Sequence, residues 1–175
     1  DLETTGTNIA TDRIVEISIL KVYPNGNKES RTWLVNPGVP IPEEASAIHG
    51  ITDEKVAGEP TFKVLSSEIH QMIRGCDLAG FNSNRFEIPL LAEELLRAGM
   101  NFDMKSAVAV DVQTIFHKME KRTLEAAYKF YCGKDLSNAH SAQADTEATY
   151  EVLLAQLERY PELENNIKAL AAFSS

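Results

Sequence analysis

A β-hairpin near the start of the chain is the feature that most restricts the fold. In residues 13–23, β-branched side chains alternate with polar ones, as in a strand with one buried face. The side chains predicted to share that face are Val15, Ile17 and Ile19. Asn25-Gly26 follows, and this dipeptide between two such runs is the strongest short-range hairpin signal. With residues 29–35 as the return strand and a stub that contains Asp1, the chain is predicted to open with a three-stranded meander.

The rest of the chain alternates between strand and helix patterns. Strands are predicted over residues 78–81 and 107–112, and helices over residues 62–73, 86–98, 124–132, 142–159 and 161–172. A hairpin region followed by this alternation favours an α/β fold. We expect a mixed five-stranded sheet, with three antiparallel strands plus two parallel ones, flanked by helices. No linker rich in Gly, Ser or Pro divides the 175 residues, so one domain is predicted.

The charge of the chain restricts how it can meet nucleic acid. There are 26 Asp and Glu residues against 17 Lys and Arg, which gives a formal net charge of -9. Without a general basic surface, contact with nucleic acid would need a local patch or bound cations. No stretch approaches the roughly 20 apolar residues that span a bilayer, and the first residues are not a signal peptide. These features predict a cytoplasmic protein with no membrane partner.

Acidic residues occur at three places that suit a metal site. Asp1 and Glu3 are two positions apart on a predicted strand, so both project from one face, where a cation would relieve their repulsion. Glu87 lies where a strand ends and a helix begins, the usual location of sites in α/β sheets. Asp145 falls in the first turn of a predicted helix, after His140. Taken singly, Asp1 with Glu3 and His140 with Asp145 are more typical of solvated or helix-capping groups, whereas for Glu87 the two interpretations are about even.

In this order on one chain, the residues resemble the DEDDh 3′–5′ exonucleases. That family contains the proofreading subunit of bacterial DNA polymerase III and ribonuclease T. Asp1 to Gly6 match its motif Asp-x-Glu-Thr-Thr-Gly, and His140 with Asp145 match its motif of His, four residues and Asp. Residues 49–52 match a family loop beside the terminal nucleotide. The resemblance covers nearly the whole chain and implies a ribonuclease H-like fold.

The resemblance also implies a role for each of these residues. Asp1, Glu3, Glu87 and Asp145 would hold two divalent cations, Mg²⁺ or Mn²⁺, and His140 would be the general base. Attack of water on the last phosphodiester would release a 5′-mononucleotide. Further side chains would contact the substrate, namely Leu2, Thr4, Thr5, His49, Ile51 and Phe86.

Two features depart from the family pattern. The middle motif normally ends in Phe-Asp, whereas this chain has Phe86-Glu87. The longer side chain is expected to shift the metal geometry by about an ångström and slow the reaction. Asp1 begins the chain although its strand should be central, so we expect further residues upstream, or a domain cut from a longer protein. Asp111 ends a predicted strand but has no counterpart in the motifs, and we assign it no catalytic role.

Three functions agree with the motifs. The preferred one is a 3′–5′ exonuclease of proofreading or repair type that acts on single-stranded ends, with DNA favoured over RNA. An exoribonuclease of the same fold is an alternative, because the motifs do not reveal whether the pocket requires a 2′-hydroxyl. A nucleic-acid-binding module whose site is weakened by Glu87 is another. A DNA polymerase subunit is a candidate partner, although the residues after the last predicted helix form no long tail for docking.

Overall fold

The computed structural model describes residues 1–103, 106–137 and 141–175. The chain forms two compact units, residues 1–115 and residues 116–175, each of which is described by itself. Within the described ranges, no helix is long and apolar enough to cross a membrane. The single exonuclease domain over residues 1–175 stays a prediction.

The strands of the first unit agree with the predicted arrangement. They are β1 (Leu2–Thr4), β2 (Ile14–Val22), β3 (Lys28–Leu34), β4 (Leu78–Gly80) and β5 (Ala109–Asp111). Strands β1, β2 and β3 pair antiparallel in that order, and β4 pairs with β5 in parallel. The α/β class, the meander and the parallel pair are therefore confirmed. Among the described residues, hydrogen bonds join these five strands into an antiparallel three-stranded sheet and a parallel pair, as expected.

A side-chain carboxylate is bound at the edge of β1 that faces away from β2. Asp1 and Ser18 exchange two backbone hydrogen bonds of 2.9 Å, so Leu2 directs its amide away from β2. That amide donates to Oε1 of Glu87 at 3.3 Å. A side-chain oxygen is thus the partner of the Leu2 amide on the side of β1 away from β2.

Helices occur in both units. They are α1 (Glu43–His49), α2 (Asp53–Val56), α3 (Phe62–Ile73), α4 (Ile88–Arg97), α5 (Val112–Met119), α6 (Leu124–Cys132), α7 (Ala142–Arg159) and α8 (Ile167–Phe173). The boundary between the units falls within α5. Helices α1 and α2 were not predicted, because with 7 and 4 residues they are too short for a clear apolar period. Helix α8 begins later than predicted, where the side chain of Asn166 caps it by accepting from the amides of Lys168 and Ala169.

The main core of the first unit lies between the meander and helices α3 and α4. Its buried side chains are Leu2, Ile14, Ile17, Trp33, Val35, Phe62, Leu65, Ile69, Met72, Ile73, Leu90 and Leu95. A smaller core cluster contains Val15, Ile41, Ile51 and Val56. In the second unit, the buried residues Tyr128, Ala148 and Val152 join α6 to α7.

A β-bulge changes the side-chain alternation at the start of β2. Glu3 lies opposite Glu16, but Thr4 lies opposite Ile14, so Val15 is the extra residue. The predicted shared face is therefore wrong for Val15, which packs in the smaller cluster. A bulge reverses the alternation of side chains between the two faces of the strand, and the order of apolar residues in the sequence does not reveal it.

Candidate active site

Strand β1 carries the first two predicted metal ligands. Asp1 and Glu3 alternate with Leu2, so they project from the face opposite to the core that buries Leu2. The register places Glu3 directly opposite Glu16 of β2, and cross-strand neighbours share a face. Like charges in this arrangement destabilise a sheet, so a cation would be favourable here. Sequence reasoning did not assign Glu16 to the site, because only the register brings it beside Glu3.

A single π-helical turn brings Glu87 to the same strand. The turn, Ser83–Glu87, connects β4 to α4. At its end, Oε1 of Glu87 accepts the hydrogen bond of 3.3 Å from the amide of Leu2. A third predicted ligand therefore lies beside the strand that carries Asp1 and Glu3.

Room for the Glu87 carboxylate depends on Gly80, the last residue of β4. A Cβ atom at Gly80 would lie 3.4 Å from Oε2 of Glu87 and 2.7 Å from Cβ of Ser83. Ser83 is buried, and its Oγ has no hydrogen-bond partner among the described residues. The carboxylate thus lies between the amide of Leu2 and Gly80, in a space that a larger residue at position 80 would fill.

We expect Gly80→Ala to lower the free energy of unfolding by about 1–3 kcal/mol, the usual range for overpacking. Adding Ser83→Gly should restore much of this loss, because it removes the Cβ atom that the new methyl would meet at 2.7 Å. Gly58→Ala is the matched control, since no described atom lies within 4 Å of its Cβ position. Urea unfolding followed by the fluorescence of Trp33, the single tryptophan, measures these changes. Equal stability of the Gly80→Ala and Gly58→Ala proteins would contradict the expectation.

A buried carboxylate at the end of β5 holds the turn that follows β4. Oδ1 of Asp111 accepts from the amides of Asn82 at 2.9 Å and Gln113 at 3.0 Å, and Oδ2 accepts from the amide of Asn84 at 3.2 Å. Burial raises the pKa of the Asp111 carboxyl. Hydrogen bonds from the backbone of Asn84, Asn82, Gln113 and Thr114 together lower this pKa by a larger amount. That pKa therefore lies below its ordinary value, and Asp111 is ionised at neutral pH.

The hydroxyls of Thr4, at the end of β1, and Thr5, in the loop after it, form hydrogen bonds within the chain. Thr5 is buried, and its hydroxyl donates to Oδ1 of Asp12 and accepts from the amide of Arg13, both at 2.9 Å. Thr5 therefore stabilises this loop, and its contact with substrate stays a prediction. The hydroxyl of Thr4 donates to the carbonyl of Gly6 at 2.6 Å, and its contact with substrate stays a prediction.

His49 joins the loop after α1 to the end of β1. Its Nδ1 accepts from the amide of Ile51 at 3.1 Å, so the proton of the neutral ring is on Nε2. Nε2 then donates to the carbonyl of Thr4 at 3.0 Å. The side chain therefore fixes the end of β1, and its contact with a terminal nucleotide stays a prediction.

Three other predicted substrate contacts are packing residues. Leu2 is in the main core because strand alternation turns it away from its acidic neighbours. Ile51 is buried in the smaller cluster, and half-buried Phe86 packs against the main core. For these three residues, contact with substrate stays a prediction.

Asp145 lies in the second unit, in the first turn of α7. Hydrogen bonds to Glu151 connect this helix to α6 and to the loop that follows α6. Glu151 accepts from Lys134 at 2.8 Å and from the hydroxyl of Tyr128 at 2.5 Å. Hydrogen bonds from Lys134 and Tyr128 hold the pKa of Glu151 below its usual value. Oδ1 of Asp145 is buried and has no hydrogen-bond partner in the described ranges. A carboxylate oxygen in this state favours a cation as its missing partner.

The chemistry of these donors fits a hard divalent cation, which prefers carboxylate oxygens. Among the residues that the structure describes, no three His, Cys, Asp or Glu side chains are grouped to hold a metal ion. The joint site of Asp1, Glu3, Glu87 and Asp145 therefore stays a prediction. His140, the predicted general base, lies outside the described residues.

Comparison with known proteins identifies relatives along most of the chain. Residues 1–153 match the model of the RNase_T exonuclease family. A DNA polymerase III subunit epsilon-like protein of Rhodobacter capsulatus is 32% identical over 163 residues, which are 90% of this chain and 23% of that protein. The 3′-5′ exonuclease DinG of Staphylococcus epidermidis is 24% identical over 164 residues, 93% of this chain and 18% of that protein. The chain thus spans less than a quarter of these two relatives.

Solved structures are similar to this chain in fold. Escherichia coli exonuclease I, solved with a dT13 oligonucleotide, has a TM-score of 0.61 at 21% identity, over 98% of this chain and 44% of that chain. This likeness confirms the ribonuclease H-like fold that the motifs implied. Members of the matched family generally use divalent metals. Because the family model covers residues 1–153 and so includes all three motifs, the chain belongs to the RNase_T exonuclease family.

Proposed function

We propose that this chain is a metal-dependent 3′–5′ exonuclease that releases 5′-mononucleotides from single-stranded DNA ends. The observation that carries the proposal is the hydrogen bond from the Leu2 amide to Glu87, which joins the second motif to the strand of the first. The names of the epsilon-like and DinG relatives, and the DNA oligonucleotide bound by exonuclease I, favour DNA as the substrate.

In the proposed site, the carboxylates of Asp1, Glu3, Glu87 and Asp145 hold two divalent cations and offset their charge. Cations held there would supply Lewis-acid chemistry, which would lower the pKa of the attacking water and offset charge on the leaving 3′-oxygen. His140 takes a proton from the attacking water as the general base. Two observations support the assignment of cations to these carboxylates. Oδ1 of Asp145 is buried and has no hydrogen-bond partner among the described residues, and Glu3 faces Glu16 across the strands.

An assay with the full chain and matched DNA and RNA oligonucleotides tests the proposal. With Mg²⁺ or Mn²⁺, 5′-labelled single-stranded DNA should shorten stepwise from its 3′ end. EDTA should stop the reaction, and excess Mn²⁺ should restore it, because the charge of the metal is needed in the transition state. Faster loss of RNA would favour the exoribonuclease instead. Retained strand binding without hydrolysis would favour a binding module whose site is weakened by Glu87.

The partner and the location belong to the same proposal. The epsilon-like name of the Rhodobacter capsulatus relative favours a DNA polymerase as the partner of this chain. A cytoplasmic location is favoured by the free thiols of Cys76 and Cys132, because disulfides are rare in that compartment.

A further inference from the structure

The turn between β4 and α4 combines two uncommon backbone conformations. Asn82 has a φ of 60°, the left-handed region, and among the described residues no other non-glycine residue has a positive φ. The π-helical turn Ser83–Glu87 follows directly, a conformation that is rare and concentrated at functional sites. Such a combination persists only where surrounding contacts hold it.

Asp111 supplies contacts of this kind. Its two carboxylate oxygens accept from the amides of Asn82 at 2.9 Å and Asn84 at 3.2 Å, so one side chain holds the backbone on both sides of Ser83. The side chain is buried at 6% exposure. A third amide, that of Gln113, bonds to the carboxylate at 3.0 Å and orients it from the end of β5.

We propose that Asp111 is a positioning residue for Glu87. Asp111 holds the first residues of the turn, and Glu87 is its last residue, 3.3 Å from the amide of Leu2. The carboxylate at the end of β5 thereby sets where the Glu87 carboxylate lies relative to β1. The catalytic consequence rests on the proposed function, whereas the link from Asp111 through the turn to Leu2 does not.

Asp77 offers a matched control for Asp111. It precedes β4, and its Oδ1 accepts from the amide of Val108 at 3.3 Å, so it joins the same two strands at their opposite end. Asp77→Asn and Asp111→Asn remove the same charge. At position 111, however, the new amide group places a donor against one of the backbone amides that the carboxylate accepted from.

The experiment measures amide exchange and turnover in the full chain. By NMR, Asp111→Asn should speed hydrogen exchange of the Leu2 amide by about tenfold, because its contact with Glu87 loosens. The kcat on single-stranded DNA should fall by about 10–100-fold, as for other residues that orient metal ligands, with little change in KM. Asp77→Asn should leave the exchange rate of Leu2 and the kcat unchanged.

Two outcomes decide between the proposals. If folded Asp111→Asn protein matches Asp77→Asn in Leu2 exchange and in kcat, the positioning role is overturned. If the wild-type chain has no nuclease activity but Leu2 exchange still rises in Asp111→Asn, the positioning role stands and the proposed function fails. Asp111→Glu keeps the charge and both acceptors but displaces them by one methylene, and it gives the same readouts if Asp111→Asn does not fold.

Discussion

Glu3→Gln should lower the kcat for release of the 3′-terminal nucleotide by about 10³-fold while the chain stays folded. A bound metal contributes several kcal/mol to stabilisation of charge in the transition state, and each 1.4 kcal/mol or so is a factor of ten. Gln keeps the size of the side chain but removes the charge proposed to hold the cation. It also removes the repulsion from Glu16, which lies opposite, so the free energy of unfolding should not fall.

Glu29→Gln is the control for this prediction. Glu29 is an exposed residue of β3 whose register partner is Lys21, toward the far end of β2 from Glu16. The same isosteric change there should leave the kcat unchanged. Calorimetry with Mn²⁺ measures the loss of metal binding independently of turnover. A Glu3→Gln protein that retains more than about a tenth of the wild-type kcat would remove Glu3 from the metal site.

Glu94→Ala should lower the free energy of unfolding by about 3 kcal/mol, the lower end of the range for breaking a buried ion pair. The side chain of Glu94 is 1% exposed. Its Oε1 accepts from Nε of Arg13 at 2.7 Å and Nη1 of Arg97 at 2.8 Å, and its Oε2 accepts from the amide of Ile14 at 3.3 Å. Its removal leaves two guanidinium groups without this partner. Those groups are 34% and 25% exposed, so water partly replaces Glu94.

The hydrogen bonds around Glu94 also hold the loop that follows β1. Arg97 donates to the carbonyls of Ala10 at 2.6 Å and Ile9 at 3.3 Å, so release of Arg97 should loosen this loop. Glu93→Ala is the control, because the side chain of Glu93 is 40% exposed and lies 3.7 Å from Nε of Arg97. Such a surface pair is worth less than about 1 kcal/mol. Urea unfolding followed by Trp33 should separate the two variants, and equal losses would refute the role of Glu94.

Local patterns predicted the long regular elements well. Helices α6 and α7 have the bounds that their apolar spacing indicated, and the Asn25-Gly26 turn connects β2 to β3 as expected. Periodicity and turn chemistry are properties of neighbouring residues, so a sequence can reveal them directly. The short helices α1 and α2 were missed because 7 and 4 residues are too few to show a repeating apolar pattern.

The candidate site could be predicted only in part. The motifs identified Glu87, which the structure places beside β1, but they did not reveal that Leu2 and Ile51 are buried in core clusters. Asp111 and Glu94 were not assigned roles. Asp111 bonds to amides 27 and 29 residues away, and Glu94 bonds to a side chain 81 residues away. No local pattern reveals partners at such separations.

By itself, the amino-acid order determined that Asp1 and Glu3 share a face of one strand, since alternation follows from backbone geometry alone. It also determined the family, through motifs whose residues keep a set order. Only the tertiary structure decided that Glu16 faces Glu3, and that Glu87 meets the amide of Leu2. Register and long-range hydrogen bonds depend on how distant segments pack together, and that packing is chosen by the whole core rather than by any one segment.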